Sequence, residues 1–210
     1  MITIVSGVPR SGTSLMMQML AAGGMPILFD NLRSADTNNP RGYFEWEPAK
    51  RLLEQPASIA QAEGKAVKVI SSLLFALPPQ YSYRIIFMRR PLAEVVRSQA
   101  AMIQKLGTKG AGLEDEAMIR VLAAHLKQVE MWLSGRKSVS FCFVEYHGVL
   151  ADPAAESRRI AEFLDTPLDI DSMARQVDSS LYYVRLPACA GKNSYLRSQK
   201  RRPRAQRQIW

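Results

Sequence analysis

Gly7-Val8-Pro9-Arg10-Ser11-Gly12-Thr13-Ser14 lies between the apolar run Ile2-Thr3-Ile4-Val5 and the stretch Leu15-Met16-Met17-Gln18-Met19-Leu20-Ala21-Ala22, which is rich in helix formers. This reads as strand, glycine-bounded turn and helix. Its two glycines stand at the spacing of G-x-x-x-x-G-K-S/T, in which backbone amides and the positive end of the following helix wrap a phosphate. The hydroxyls of Thr13 and Ser14 can add donors. Where a nucleoside triphosphatase carries lysine this chain has Thr13, and the only cation in the loop is Arg10. No strand ends in the Asp expected to organise magnesium, since Ile70 runs into Ser71-Ser72 and Met88 into Arg89-Arg90. A phosphate-bearing ligand is expected, and a magnesium-dependent ATPase or GTPase is disfavoured.

Working outward, Gly23-Gly24 closes the first helix, and residues 30–44 collect Asp, Asn, Pro, Arg and Gly without periodicity, which reads as a long loop or lid. A helix is expected over 48–62 and strands over 66–70 and 84–88. Pro91 suits the first turn of a helix continuing over 92–105. A longer helix over 114–134 follows the Gly-rich stretch 107–112, then a strand over 139–145, a helix over 153–164 and a last helical stretch over 170–177. Strands that alternate with helices predict an α/β fold with a central parallel sheet covered by helices on both faces, its ligand at the carboxyl ends of the strands. No internal repeat appears, and one domain over 1–190 accounts for the pattern, with a basic tail over 191–210.

Composition narrows the class further. The 210 residues are 47% hydrophobic and 22% charged, enough to bury a core, so disorder of the whole chain is excluded. The first residues carry neither a basic leader nor a small-residue cleavage pattern, and no apolar run reaches about eighteen residues, so a secreted or membrane-spanning chain is not expected. Cys142 and Cys189 are far apart, without a Cys/His cluster around them, which argues against a disulfide scaffold or a zinc site and favours a reduced, cytoplasmic protein. The net charge of +9 sits mostly at one end: seven basic residues and no acid follow Pro187, and the preceding 187 residues carry 21 basic against 19 acidic. Such a terminus is commonly solvated, so nucleic acid is not the expected partner.

Pro9-Arg10-Ser11-Gly12-Thr13-Ser14 resembles the phosphosulfate loop of sulfotransferases that use 3′-phosphoadenosine 5′-phosphosulfate, in which Lys or Arg precedes Ser-Gly-Thr. The longer string through Leu15-Met16 is most similar to the tyrosylprotein sulfotransferase branch and to bacterial sulfotransferase-like proteins. Arg84 to Pro91, with Glu94 and Ser98 downstream, is similar to the family's 3′-phosphate motif, a strand ending in Arg and a helix carrying Ser eight residues later; Arg90 and Ser98 fit that spacing. Lys68-Val69-Ile70 with Leu77-Pro78 resembles the lysine-bearing strand before that motif. Val144-Glu145-Tyr146 through Asp152-Pro153 resembles its Tyr-Glu-Asp-Leu segment. Arg89 stands beside Arg90, leaving open which of them meets the 3′-phosphate, and His147 stands where the family usually has an acid.

The resemblance implies a three-layer P-loop-type fold and transfer of a sulfuryl group from that nucleotide to a hydroxyl or amine, with no metal. Pro9, Arg10, Ser11, Gly12, Thr13 and Ser14 would bind the phosphosulfate end, and Arg90 and Ser98 the 3′-phosphate. Arg10 would stabilise charge as the sulfate bond breaks, and Lys68 would hold a sulfate oxygen or the acceptor; the alternative for Lys68 is a stem packed on the sheet with its charge in water. Glu45 is the first choice for the base that takes the acceptor proton, ahead of Glu47 and Asp36. His125 and His147 read as structural, Met16, Met17 and Met19 as core filling, and Tyr43, Phe44 and Trp46 as an aromatic group lining a pocket. A P-loop kinase and a non-catalytic nucleotide-binding protein remain the alternatives.

Overall fold

The computed structural model describes residues 1–30, 32–36, 39–107, 112–178 and 180. The basic tail expected over 191–210 lies outside them, as does part of the Gly-rich stretch after residue 107. Five parallel strands form one sheet in the order β2-β3-β1-β4-β5: β1 is Ile2–Gly7, β2 Ile27–Leu28, β3 Ala66–Lys68, β4 Tyr83–Arg89 and β5 Val139–Glu145. The helices are α1 Thr13–Ala22, α2 Glu47–Lys50, α3 Leu92–Leu106, α4 Asp115–Gly135, α5 Tyr146–Ala151, α6 Pro153–Leu164 and α7 Ile170–Ala174. Two 3₁₀ segments, Pro56–Ala62 and Ser71–Ala76, complete the order.

The period of two along each strand divides the core between the faces of the sheet. Ile2 and Ile4 of β1, Val67 of β3 and Tyr83, Ile85 and Phe87 of β4 pack with Leu52, Ile59, Leu74 and Val129 on one face. Val5, Ala66, Ile86 and Met88 point the other way and meet Met16, Met17, Met19 and Leu20 of α1 together with Ile160, Leu164 and Met173. The three methionines of α1 are fully buried and fill that second layer. The architecture is therefore α/β, three layers about a parallel sheet, as the alternation of elements predicts.

The expected helix over 48–62 is a correction. It breaks into α2 and the 3₁₀ segment Pro56–Ala62, with Arg51 (φ −107°) and Gln55 (φ −131°, ψ 61°) outside helical geometry between them. Pro56 supplies the reason: its ring disfavours the helical conformation in the preceding residue and removes an amide donor. The strand β2 and the helix α5 carry too few residues to show a period and were not anticipated.

The register aligns the ends that matter. Val5 pairs with Lys68, Gly7 with Met88, and Arg89 with Glu145. The carboxyl ends of β1, β3 and β4 thus open onto one side of the sheet, where the chain leaves β1 for the loop 8–12 and leaves β4 for α3.

Candidate functional site

Between β1 and α1 the backbone turns through positive φ at Gly7 (152°), Arg10 (75°) and Gly12 (104°). Only glycine takes two of these without strain, and at Gly12 a Cβ would also sit 2.5 Å from the Tyr146 ring. Arg10 is a non-glycine residue in the left-handed region, a conformation that concentrates at ligand-binding turns. The turn is tied by the Ser11 amide donating to the Val8 carbonyl at 3.1 Å. The first-turn amides of α1 have no acceptor within the helix, and Gly12 as its N-cap provides no side-chain cap. They form the positive end of a helix dipole.

A cavity of about 210 Å³ lies in front of these amides. Pro9, Arg10, Gly12, Thr13 and Ser14 line it from the loop and α1, Arg90 and Ser98 from β4–α3, and Lys68 and Glu45 from the strand β3 and the segment before α2. Ser11 departs from the expected set: it is fully buried behind the loop, its amide is taken by Val8, and it does not line the cavity. Its hydroxyl is buried without a hydrogen-bond partner among the described residues, a donor left over inside the turn.

The cations are held rather than loose. Arg10 donates from Nε to the Ser98 hydroxyl at 3.0 Å, which joins the loop to α3. Burial pulls the Arg10 pKa below its ordinary value, against the pull of Tyr43, and the nearby Arg90 charge lowers it further. Arg90 donates from Nε to Glu94 at 2.9 Å and from Nη1 to the Arg10 carbonyl at 3.2 Å, with its guanidinium 4.9 Å from the centre of the Tyr146 ring. Arg89 turns the other way: it pairs with Glu130 of α4 and stacks 3.3 Å over Phe143. Arg89 is the last residue of β4 and Arg90 the first beyond it, and only Arg90 of the pair reaches the cavity wall.

Lys68 is 8% exposed, on the same side of β3 as Ala66, and its ammonium faces the top of α1. It donates to the Tyr43 carbonyl and, at 3.4 Å, to the Ser14 hydroxyl, and lies 3.6 Å from Glu45. The reading that leaves its charge in water does not hold. Burial lowers its pKa to about 8, with Glu45 opposing that shift. Glu45 is itself shared among Lys50 at 3.0 Å, Arg33 at 3.1 Å and Lys68. Burial alone would raise the Glu45 pKa, but the Lys50 hydrogen bond and the surrounding cations outweigh it and hold the carboxylate below its ordinary value.

The other two carboxylates considered for the base lie elsewhere. Asp36 accepts the Tyr43 hydroxyl at 2.8 Å, and Glu47 pairs with Lys50 and Arg51 at the start of α2; neither lines the cavity. The aromatic group also divides. Trp46 is buried in the core with Leu52, Tyr43 is 5% exposed and lines the cavity, and Phe44 packs against Phe29 with ring centres 5.3 Å apart. His125 holds the Ser71 hydroxyl at 2.8 Å where α4 packs on the 3₁₀ segment Ser71–Ala76, away from the cavity.

A sequence model of the sulfotransferase domain matches residues 2–204. The chain belongs to the sulfotransferase domain family. The sulfotransferase domain of the Synechococcus PCC 7002 olefin synthase has the same fold, at 16% identity and a TM-score of 0.52, covering 93% of this chain and 82% of that one. A sulfotransferase from Mycobacterium avium is 17% identical over 83% of this chain and 66% of its own, with a TM-score of 0.49. A retinol dehydratase solved with androsterone and the inactive cofactor PAP is 17% identical, with a TM-score of 0.49 over 83% of this chain and 62% of its own. A comparison with curated proteins finds no match. Within this sulfotransferase domain, Arg33, Arg41, Glu94 and Tyr146 are site-region residues that the motifs did not assign. Arg33 and Arg41 stand in the unpatterned loop 30–44, where spacing carries no signal, and both also line a neighbouring cavity of about 440 Å³.

Proposed function

We propose that this sulfotransferase domain moves a sulfuryl group from 3′-phosphoadenosine 5′-phosphosulfate to a hydroxyl or amine acceptor. One observation carries the proposal: two sets of anion-binding groups, one from the loop and α1 and one from the β4–α3 turn, line a single cavity. A donor with phosphate at both the 5′ and the 3′ position needs both sets, whereas ATP needs only the first. The uncapped helix terminus suits an oxyanion ligand.

In this reading the amides at the start of α1, with Arg10, receive the negative charge that grows on the 5′-phosphate as its bridging bond to sulfur breaks. They are fixed before the reaction and need no reorganisation when the charge appears. Lys68 donates to the leaving bridging oxygen or to a sulfuryl oxygen. Glu45, ionised at neutral pH, accepts the acceptor's proton as the new bond to sulfur forms, and the electron pair of the broken bond stays on the 5′-phosphate. Arg90 and Ser98 hold the 3′-phosphate, whose charge does not change during transfer.

Thermal unfolding in the presence of adenosine 3′,5′-bisphosphate, magnesium-ATP or AMP tests the donor. The bisphosphate without magnesium is expected to stabilise most, by about 2.7 kcal/mol at a hundredfold excess over its dissociation constant. Equal or greater stabilisation by magnesium-ATP overturns the reading in favour of a phosphotransferase. Bisphosphate binding without transfer from the phosphosulfate to any of a panel of phenols, alcohols and amines would mark a binding protein instead.

A further inference from the structure

Behind Arg90 stands a second rank of charge. Glu94 is 2% exposed, on the first turn of α3, and its Oε2 accepts both Arg90 Nε at 2.9 Å and His147 Nε2 at 3.1 Å. His147 belongs to α5 and is half exposed, so it connects a buried carboxylate to solvent. A buried carboxylate adjoining a guanidinium cancels much of that cation's field, and a second cation on the same oxygen restores it.

We infer that Glu94 is the positioning residue of Arg90 and that His147 sets how much of the Arg90 charge reaches a bound anion, so that affinity for the nucleotide depends on the protonation of His147. This deepens the proposed function and rests on its assignment of Arg90 to a phosphate. Two nitrogens of the guanidinium are committed, Nε to Glu94 and Nη1 to the Arg10 carbonyl, which fixes its plane at the cavity wall. With His147 neutral, Arg90 and Glu94 sum to zero charge. With His147 protonated, the three sum to one positive charge, next to Arg10, whose main chain Arg90 holds.

The groups facing this cluster are consistent with that sign. Arg10 approaches from the loop, Glu94 and Arg90 from the start of α3, and Tyr146, kept neutral by burial, from α5 beside His147. On β5, Glu145 lies 4.0 Å from Arg89, the arginine that faces away from the cavity. Imidazole side chains as a class change charge between about pH 5 and 8, which sets the range over which the inference is tested. By linkage, a polyanion bound beside protonated His147 draws a proton onto the protein, and its affinity rises as pH falls.

The test is titration of the full chain with adenosine 3′,5′-bisphosphate at pH 6, 7 and 8, for the wild type, H147Q and H147K. The ligand's own phosphates also titrate near pH 6, so the informative quantity is the ratio of wild-type to H147Q affinity at each pH. That ratio is expected to be near one at pH 8 and to rise to roughly threefold to tenfold at pH 6, the size of a partly screened single charge. H147K, charged throughout, should keep the raised affinity at pH 8. His147 is half exposed, so neither substitution removes core packing. A ratio that stays flat from pH 6 to 8, or an H147K protein no tighter than H147Q at pH 8, overturns the inference while leaving the donor assignment standing. Absence of bisphosphate binding by the wild type at every pH overturns both.

Discussion

Lys68 holds a charge where little water reaches it, and burial lowers its pKa from 10.5 to about 8 against the opposing pull of Glu45. The unfolded chain keeps that proton up to its ordinary pKa, so between about pH 8 and 10.5 the unfolded state binds more protons and stability rises with pH. Below pH 8 the charged amine costs the fold stability, a cost compatible with the role in transfer proposed for Lys68. Lys68→Met should therefore melt no lower than the wild type at pH 7, because Glu45 keeps Arg33 and Lys50, while the rate of transfer falls by roughly a hundredfold or more. Calorimetry with single-turnover kinetics checks both halves. Wild-type transfer by the variant would remove the amine from the mechanism, and a lower melting point would show that its ion pair outweighs its desolvation. The residues left undecided by spacing were of this kind. Lys68 could have met water, and Arg89 could have replaced Arg90, until strand register and the side of the sheet were known.

Among the elements, the loop between β1 and α1 is the most constrained, and Gly12 is its hinge. Its φ of 104° and the ring of Tyr146 beside it leave no room for a Cβ. Gly12→Ala should cost roughly 2–4 kcal/mol, part from backbone strain and part from overpacking. In urea the midpoint should drop with the slope unchanged. Adding Tyr146→Ala should recover the steric part and leave the backbone part. An unshifted midpoint would mean that the loop relaxes freely, which a preorganised anion cradle cannot do. This element was legible beforehand because glycines at fixed spacing, a strand before and helix formers after all require the same turn. The stretch 48–62 was not, because a helix-forming composition outweighed in the reading a single proline whose effect depends on how the chain packs around it.

At the scale of the whole molecule, the cavity is closed partly from the far end of the described chain: Arg41 reaches the Gln176 carbonyl and pairs with Asp178 at 3.3 Å, and both partners line the cavity. The seven basic residues after Pro187 lie beyond this point in sequence. Removal of residues 199–210 should leave the thermal stabilisation by adenosine 3′,5′-bisphosphate within about 0.5 kcal/mol of the full chain, the usual size of a surface change remote from a site. Loss of that stabilisation would show that the terminus supplies ligand-binding groups. Taken alone, the sequence determined the α/β class, the order of the long elements, the glycine-bounded turn between β1 and α1 and the family, because each rests on local spacing, in which a strand, a turn and a helix announce themselves within ten or fifteen residues. Tertiary structure decided which charges share the cavity. Glu45 rather than Asp36 or Glu47 lines it, Lys68 turns inward, Ser11 drops behind the loop, and Glu94 and His147 meet around Arg90. Those outcomes depend on sheet register and on contacts between residues far apart in sequence, 88 positions in the case of Arg10 and Ser98, where local sequence exerts no force.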